Sequence, residues 1–273
     1  MQAMHKHISG FSNPTVKYLR SLRDKKHRKR AGQFLVEGLR LLEDARESGR
    51  VPQMLVMADG NERAAAGHEV LAGLVRSVEA GGGEVITTTP DILSKITGKD
   101  NAQSVAGVFD EWDTGLARLD RGAAPIWLAA QALRDPGNLG TMLRTADAVG
   151  AGGLIMIDDC ADPFSAEAVR ASMGAVFTVQ VAQARWEEFV PWLRGGEGQL
   201  VAASLRDAVP YRGAGYEAPC FILVGNESQG LPESYEAECD LRVTMPMRGR
   251  ADSLNAAVAG AVLAYEVLAA LDG

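Results

Sequence analysis

No uninterrupted apolar stretch in this chain approaches the ~18 residues that a bilayer-spanning helix needs. The N-terminal MQAMHKHISGFSNPTVKYLRS has no apolar region of the secretory kind, and no membrane association is expected. Cysteine is scarce. Cys160, Cys220 and Cys239 are odd in number and widely spaced, which excludes a complete intrachain disulfide framework and any CxxC metal site. Three reduced thiols in a cytoplasmic protein are the expectation. Histidine is missing where it would matter. His5, His7, His27 and His68 all precede the second half, so neither a His-based triad nor a His-containing metal site can be built there. HExxH, GxGxxG and the P-loop lysine motif are absent as well, which removes both common phosphate cradles and leaves no metal site in prospect.

What is present is a 273-residue chain, 47% hydrophobic, long enough for one large domain or two modest ones. Its net charge of −7 is unevenly spread. Residues 1 to 30 hold Lys6, Lys17, Arg20, Arg23, Lys25, Lys26, Arg28, Lys29 and Arg30 against only Asp24, a net +8 that leaves −15 for the rest. A basic end on an acidic body points to local contact with a polyanion. Lys25, Lys26, Arg28, Lys29 and Arg30 are the expected phosphate contacts.

Apolar spacing and glycine stops predict a helix over 15–31, a short strand at 33–38 and a helix over 39–49. Strands at 51–59, 82–90 and 104–112 then alternate with helices at 62–80 and 91–97, which makes a small α/β unit. The polar stretch DTGLARLDRGAAP, residues 113–125, marks a domain boundary, giving domains at 1–118 and 119–273. The second half repeats the rhythm more strongly. Strands are expected at PIWLAAQ, GLIMID, VFTVQV, GQLVAAS, CFILVG and DLRVTMP. Helices are expected at 138–150, 164–175 and 186–194, the last kinked or broken at Pro191. Near-continuous apolar strands between helices argue for a mostly parallel, doubly covered sheet. A final helix, 253–271, has almost no polar face and should be buried on every side, within the fold or against a second subunit.

Three polar stretches stand at the tips of these strands: ALRDPGNLGTMLRTADAVGAGG, LVGNESQGLP and MPMRGRADSLNAAVAGAVLAYEVLAAL. In parallel α/β sheets, ligands bind beyond the carboxyl ends of the strands. Gly225 and Gly230 allow close approach of the backbone there. Helical spacing aligns Asn138, Thr141 and Thr145 along one edge, with Arg144 nearby.

In this order and spacing the three stretches, with VRASMGAVF at 169–177, resemble the SpoU/TrmH family of SPOUT RNA 2′-O-ribose methyltransferases over residues 126–268. KYLRSLRDKKHRKRAGQFLVEGLRLLEDA resembles the family's L30e-like substrate-binding module. The resemblance implies an α/β fold, SPOUT-type with a mostly parallel sheet and a C-terminal trefoil knot, preceded by a small L30e-like α/β domain. It implies S-adenosyl-L-methionine as cofactor, a homodimer with the active site at the subunit interface, and RNA as substrate. Large-subunit 23S rRNA is the favoured target and tRNA the alternative. Carried over residue by residue, it implies catalytic roles for Asn138, Arg144, Glu227, Ser253 and Asn255, with Arg144 also on RNA. It implies cofactor contacts from Leu223, Val224, Gly225, Asn226, Met245, Met247, Ser253 and Leu254. Ala256 and Ala257 depart from the valine and serine usual in the family. Two rival readings are a non-catalytic RNA-binding protein on the same fold and a nucleotide-dependent oxidoreductase. The intact polar set argues against the first, and the missing dinucleotide fingerprint against the second.

Overall fold

The computed structural model describes residues 5–59, 65–100 and 102–273. It divides into two compact units, Met1–Trp112 with Phe164–Arg170, and Asp113–Pro163 with Ala171–Gly273.

The first unit runs β1 (His5–Ile8), α1 (Pro14–Ser21), α2 (Lys25–Ala31), β2 (Gln33–Glu37), α3 (Leu39–Glu47), β3 (Met54–Ala58), α4 (Ala65–Ala80), β4 (Glu84–Thr88), α5 (Pro90–Thr97) and β5 (Val105–Asp110). Residues 62–64 of the helix expected over 62–80 lie outside the described residues. The sheet order is β1-β4-β3-β5-β2, with β1, β4 and β3 parallel and β5 antiparallel to both its neighbours. β1 was not expected. Its sequence, HKHI, buries only Ile8 and holds its place as an edge strand through the ladder to β4.

The single helix expected over 15–31 is two helices. Asn13 caps the first, its Oδ1 accepting from Thr15 N at 2.8 Å. Asp24 starts the second, its Oδ1 accepting from Lys26 N at 2.9 Å and from His27 N at 3.3 Å. An aspartate that bonds backbone amides two and three residues ahead competes with helix continuation. Apolar periodicity alone does not reveal the break. Arg28 seals the joint. It is 4% exposed, and its Nη1 donates to the carbonyls of Leu22 at 3.0 Å and Arg23 at 2.9 Å, at the end of α1.

The second unit carries β6 (Ile126–Gln131), α6 (Pro136–Ala148), β7 (Leu154–Ile157), β8 (Val181–Ala184), α8 (Trp186–Arg194), β9 (Gln199–Ala203), β10 (Val209–Pro210), β11 (Cys220–Val224), α9 (Glu233–Glu236), β12 (Leu241–Thr244) and α10 (Ala256–Leu271). The short α7 (Ala166–Ala171) falls mostly within the first unit. The seven strands lie in the order β10-β12-β9-β11-β6-β7-β8, and every pair is parallel. IWLAAQ, LIMI and CFILV are buried throughout, as strands covered on both faces must be. From β6 the chain builds outward through β7 and β8, then crosses to lay down β9, β12 and β11 on the other side. The β6–β11 border is therefore a topological switch point, where open α/β sheets leave a crevice. Trp127 anchors the core beneath it, stacked on Phe221 with centroids 5.8 Å apart.

Three expectations for this unit change. The strand expected at 176–181 begins later, at Val181. Ala175–Phe177 instead form a buried turn of 3₁₀ helix behind Gly174, at φ 93°, so these apolar residues fill the core without pairing in the sheet. Pro191 sits inside α8 without breaking it, and Glu187, the residue whose carbonyl it cannot bond, is exposed. The last helix starts at Ala256, and its N-cap is Asn255. It is not buried all round. Leu263, Ala264 and Val267 are fully buried, whereas Val258 is 46% and Tyr265 54% exposed. Among the described residues no helix is long and apolar enough to cross a membrane.

Candidate active site

The polar tip of β11 mostly holds other loops in place. Asn226 folds its own loop, with Oδ1 accepting from Ser228 N at 2.9 Å and Gln229 N at 3.1 Å. Its Nδ2 donates across to the carbonyl of Ala132, beyond the end of β6, at 2.8 Å. Gly225 is required by close approach. A Cβ there would stand 2.5 Å from the Gly230 carbonyl carbon and 2.6 Å from Leu231 N, so the loop could not return across the strand end.

Glu227 reaches further. Its carboxylate accepts from Arg134 N at 3.4 Å, Asp135 N at 3.2 Å and Asn138 Nδ2 at 3.1 Å. Asn138 is in the first turn of α6, whose cap is Asp135, with Asn138 N donating to Asp135 Oδ1 at 2.6 Å. The Asn138 side-chain oxygen in turn accepts from Asn255 Nδ2 at 2.9 Å, and Asn255 Oδ1 caps α10 through Ala257 N at 3.0 Å and Val258 N at 3.2 Å. Glu227, Asn138 and Asn255 thus form one chain joining the tips of β11, β6 and the start of α10. Partial burial pushes the Glu227 carboxyl up, but the hydrogen bonds from backbone and Asn138 outweigh it and hold its pKa below the ordinary glutamate value.

Beside this chain is a cavity of about 380 Å³, within the range that takes small organic ligands. Val224, Gly225, Asn226 and Glu227 line it, and so do Met245, Met247, Ser253 and Leu254. Leu223, expected among them, does not. It is fully buried and belongs to the core cluster around Trp127, because successive strand residues face opposite sides. Ser253 is exposed, with its hydroxyl 3.3 Å from Asp252 Oδ1, and stands apart from the Glu227 chain.

Arg144 is exposed near the middle of α6, about 9 Å along the axis from Asn138. It makes no hydrogen bond or ion pair with any described residue. Thr141 and Thr145 bond back into their own helix, to Gly137 O at 2.8 Å and Thr141 O at 3.1 Å. Of the five basic residues expected on a polyanion, Arg28 is buried and Lys29 is paired with Glu111 at 3.0 Å. Lys25, Lys26 and Arg30 are exposed.

Sequence reasoning missed Ala203, Ser204, Leu205 and Arg206 at the tip of β9, which line the same cavity with Glu236 of α9. The rule that ligands collect at strand carboxyl ends applied to GQLVAAS as much as to its neighbours and could have found them.

Residues 125–265 match the model of the SpoU rRNA Methylase family. The chain belongs to that family. Residues 13–107 match the MRM3-like substrate binding domain. The 23S rRNA (guanosine(2553)-2′-O)-methyltransferase RlmP of Bacillus subtilis is 29% identical over 96% of this chain and 99% of its own length. A 23S rRNA (uridine(2479)-2′-O)-methyltransferase of Streptomyces viridochromogenes is 30% identical over 90% of this chain and 86% of its own. The crystal structure of an AdoMet-bound rRNA methyltransferase from Sinorhizobium meliloti is similar over 98% of both chains, with 38% identity and a TM-score of 0.88. The SpoU member thus has a mostly parallel α/β fold with a substrate-binding domain before it.

Proposed function

We propose that this protein methylates a ribose 2′-hydroxyl of 23S rRNA, using S-adenosylmethionine as donor. The observation that carries the reading is the chain Glu227–Asn138–Asn255, which ties all three polar stretches together beside a ligand-sized cavity. The full-length likeness to enzymes named for 23S rRNA supports rRNA over the alternative, tRNA. The cavity residues fit the donor, because Val224, Leu254 and the adaptable Met245 and Met247 side chains give it apolar walls for a nucleoside.

Bound S-adenosylmethionine supplies an activated methyl group on a sulfonium. The chain must then align a ribose hydroxyl with it and let the hydroxyl proton depart. Arg144, exposed and without a partner among the described residues, clamps the RNA phosphate beside the target ribose. A guanidinium is always protonated and is no base. Glu227 is spent on hydrogen bonds and held ionised, so it fixes the loops, and the proton leaves to the clamped phosphate or to water. Asn138 and Asn255 set the register of α6 and α10, and Ser253 presents a hydroxyl to the reactants.

In this reading residues 1–118 bind RNA through Lys25, Lys26 and Arg30, and residues 119–273 carry the reaction. The two loops after β11 and β12 form the trefoil knot of the family. A second copy covers the apolar face of α10 at Val258 and Tyr265, and the dimer works in the cytoplasm. The test is transfer of labelled methyl from S-adenosylmethionine to large-subunit rRNA from cells lacking this gene, with the site mapped. One new 2′-O-methyl nucleotide in 23S rRNA is expected. No label in any RNA refutes the activity, and label in tRNA alone refutes the target.

A further inference from the structure

The tip of β9 is built around a buried acid. The Glu236 side chain is only 6% exposed, and both its oxygens are engaged. Oε1 accepts from Ser204 Oγ at 2.6 Å and Oε2 from Arg206 Nη1 at 3.1 Å. Ser204 Oγ also accepts from Arg206 N at 2.9 Å, so the turn Ser204–Arg206 is pinned from both side chain and backbone. A buried carboxylate carries a large desolvation cost, which makes such a pair a poor source of stability and a good means of fixing geometry. What it fixes is Arg206. The arginine side chain is 54% exposed and lines the cavity, and its guanidinium makes no other hydrogen bond with a described residue.

Among the described residues lining the cavity, Arg206 is the one cation. Glu227, Glu236 and Asp252 are the anions. The proposed donor has charge of both signs, a cationic sulfonium that bears the methyl and, at the far end of its amino-acid part, a carboxylate and an ammonium on one carbon. A planar guanidinium held by one of its edges keeps other donors free for a second carboxylate.

We infer that Arg206, positioned by Glu236 and Ser204, binds the carboxylate of the methyl donor and so sets which way the donor lies in the cavity. This rests on the methyltransferase reading above. It assigns specificity to the amino-acid end of the ligand, separately from the nucleoside, which the Gly225 and Met245–Met247 segments hold.

The test is calorimetric titration of the full-length protein with S-adenosylhomocysteine and with 5′-methylthioadenosine, which keeps the nucleoside and thioether but lacks the amino-acid carboxylate. Arg206→Ala should weaken S-adenosylhomocysteine by roughly 10- to 100-fold, the loss expected for a hydrogen bond to a charged group. Methylthioadenosine affinity should stay unchanged, which also shows that the variant is folded. Glu236→Gln should shift the same ratio in the same direction by less. Equal weakening of both ligands, or of neither, overturns the assignment while leaving the methyltransferase reading intact. If the unaltered protein binds neither, that reading falls and this one with it.

Discussion

The basic segment of the first unit and the strand tips of the second are opposite uses of polar residues. In α1–α2 charge is dense, and part of it is structural. Arg28 is buried on the end of α1 and Lys29 is tied to Glu111, while Lys25, Lys26 and Arg30 reach solvent. At the strand tips the acids Glu227 and Glu236 are both hydrogen-bonded, whereas Arg144 on α6 and Arg248 and Arg250 after β12 are exposed and make no hydrogen bond or ion pair with a described residue. Charge density therefore says little about which cation meets RNA. Solvent exposure and the lack of an internal partner say more.

Arg144→Ala tests that contrast most severely. Methyl transfer should fall by about 10²- to 10³-fold, the range for losing one electrostatic group at a reacting centre. S-adenosylmethionine binding should survive, because Arg144 does not line the cavity. Equal loss of both in parallel calorimetry and turnover assays would place Arg144 in the cofactor site and end the contrast.

Arg28→Ala should behave as the reverse. It leaves the carbonyls of Leu22 and Arg23 without their partner in a buried joint. A loss of about 3 kcal/mol is expected from denaturant midpoints. Neutralising Lys25, Lys26 and Arg30 together should leave stability nearly untouched. It should weaken RNA binding and reduce the salt slope by about 2 to 3, at ~0.7–0.9 per phosphate contact. A stable Arg28→Ala protein, or an unchanged slope in the triple variant, would show that the two classes of cation have been wrongly sorted.

Much of this was legible in sequence because motif spacing survives folding. Asn138, Glu227 and Asn255 lie far apart in the chain and were named through the family resemblance of their stretches, and the structure joins them within hydrogen-bonding distance. The second sheet was legible from apolar runs such as CFILV, which only a doubly covered strand accommodates. What was not legible depends on a competition between partners. Asp24 splits a helix because its carboxylate outbids the ladder, and Arg28 is buried because that split creates free carbonyls to cap. β1 has no apolar alternation and exists through pairing with β4. Phe164–Arg170 joins the first unit through contacts distant in sequence, such as Phe164 with Trp112, whose ring centroids are 4.7 Å apart. Arg206 was hidden because its fixing partner, Glu236, comes thirty residues later on a four-residue helix.

The smallest effect sharpens the second half of the comparison, the engaged acids. Glu227→Gln keeps the shape but puts an amide where two backbone N–H groups need an acceptor. Because Glu227 is largely exposed, the cost at neutral pH should be below about 1 kcal/mol. The folded carboxyl has a depressed pKa, so its contribution is complete above the unfolded-state value and is lost as the pH falls through the folded one. The gap between wild type and variant in urea melts should therefore be widest near neutrality and close as the pH falls below the ordinary carboxylate range. A gap that stays constant with pH would mean that Glu227 stabilises the loops by shape alone, and that its charge is free for another role in the reaction.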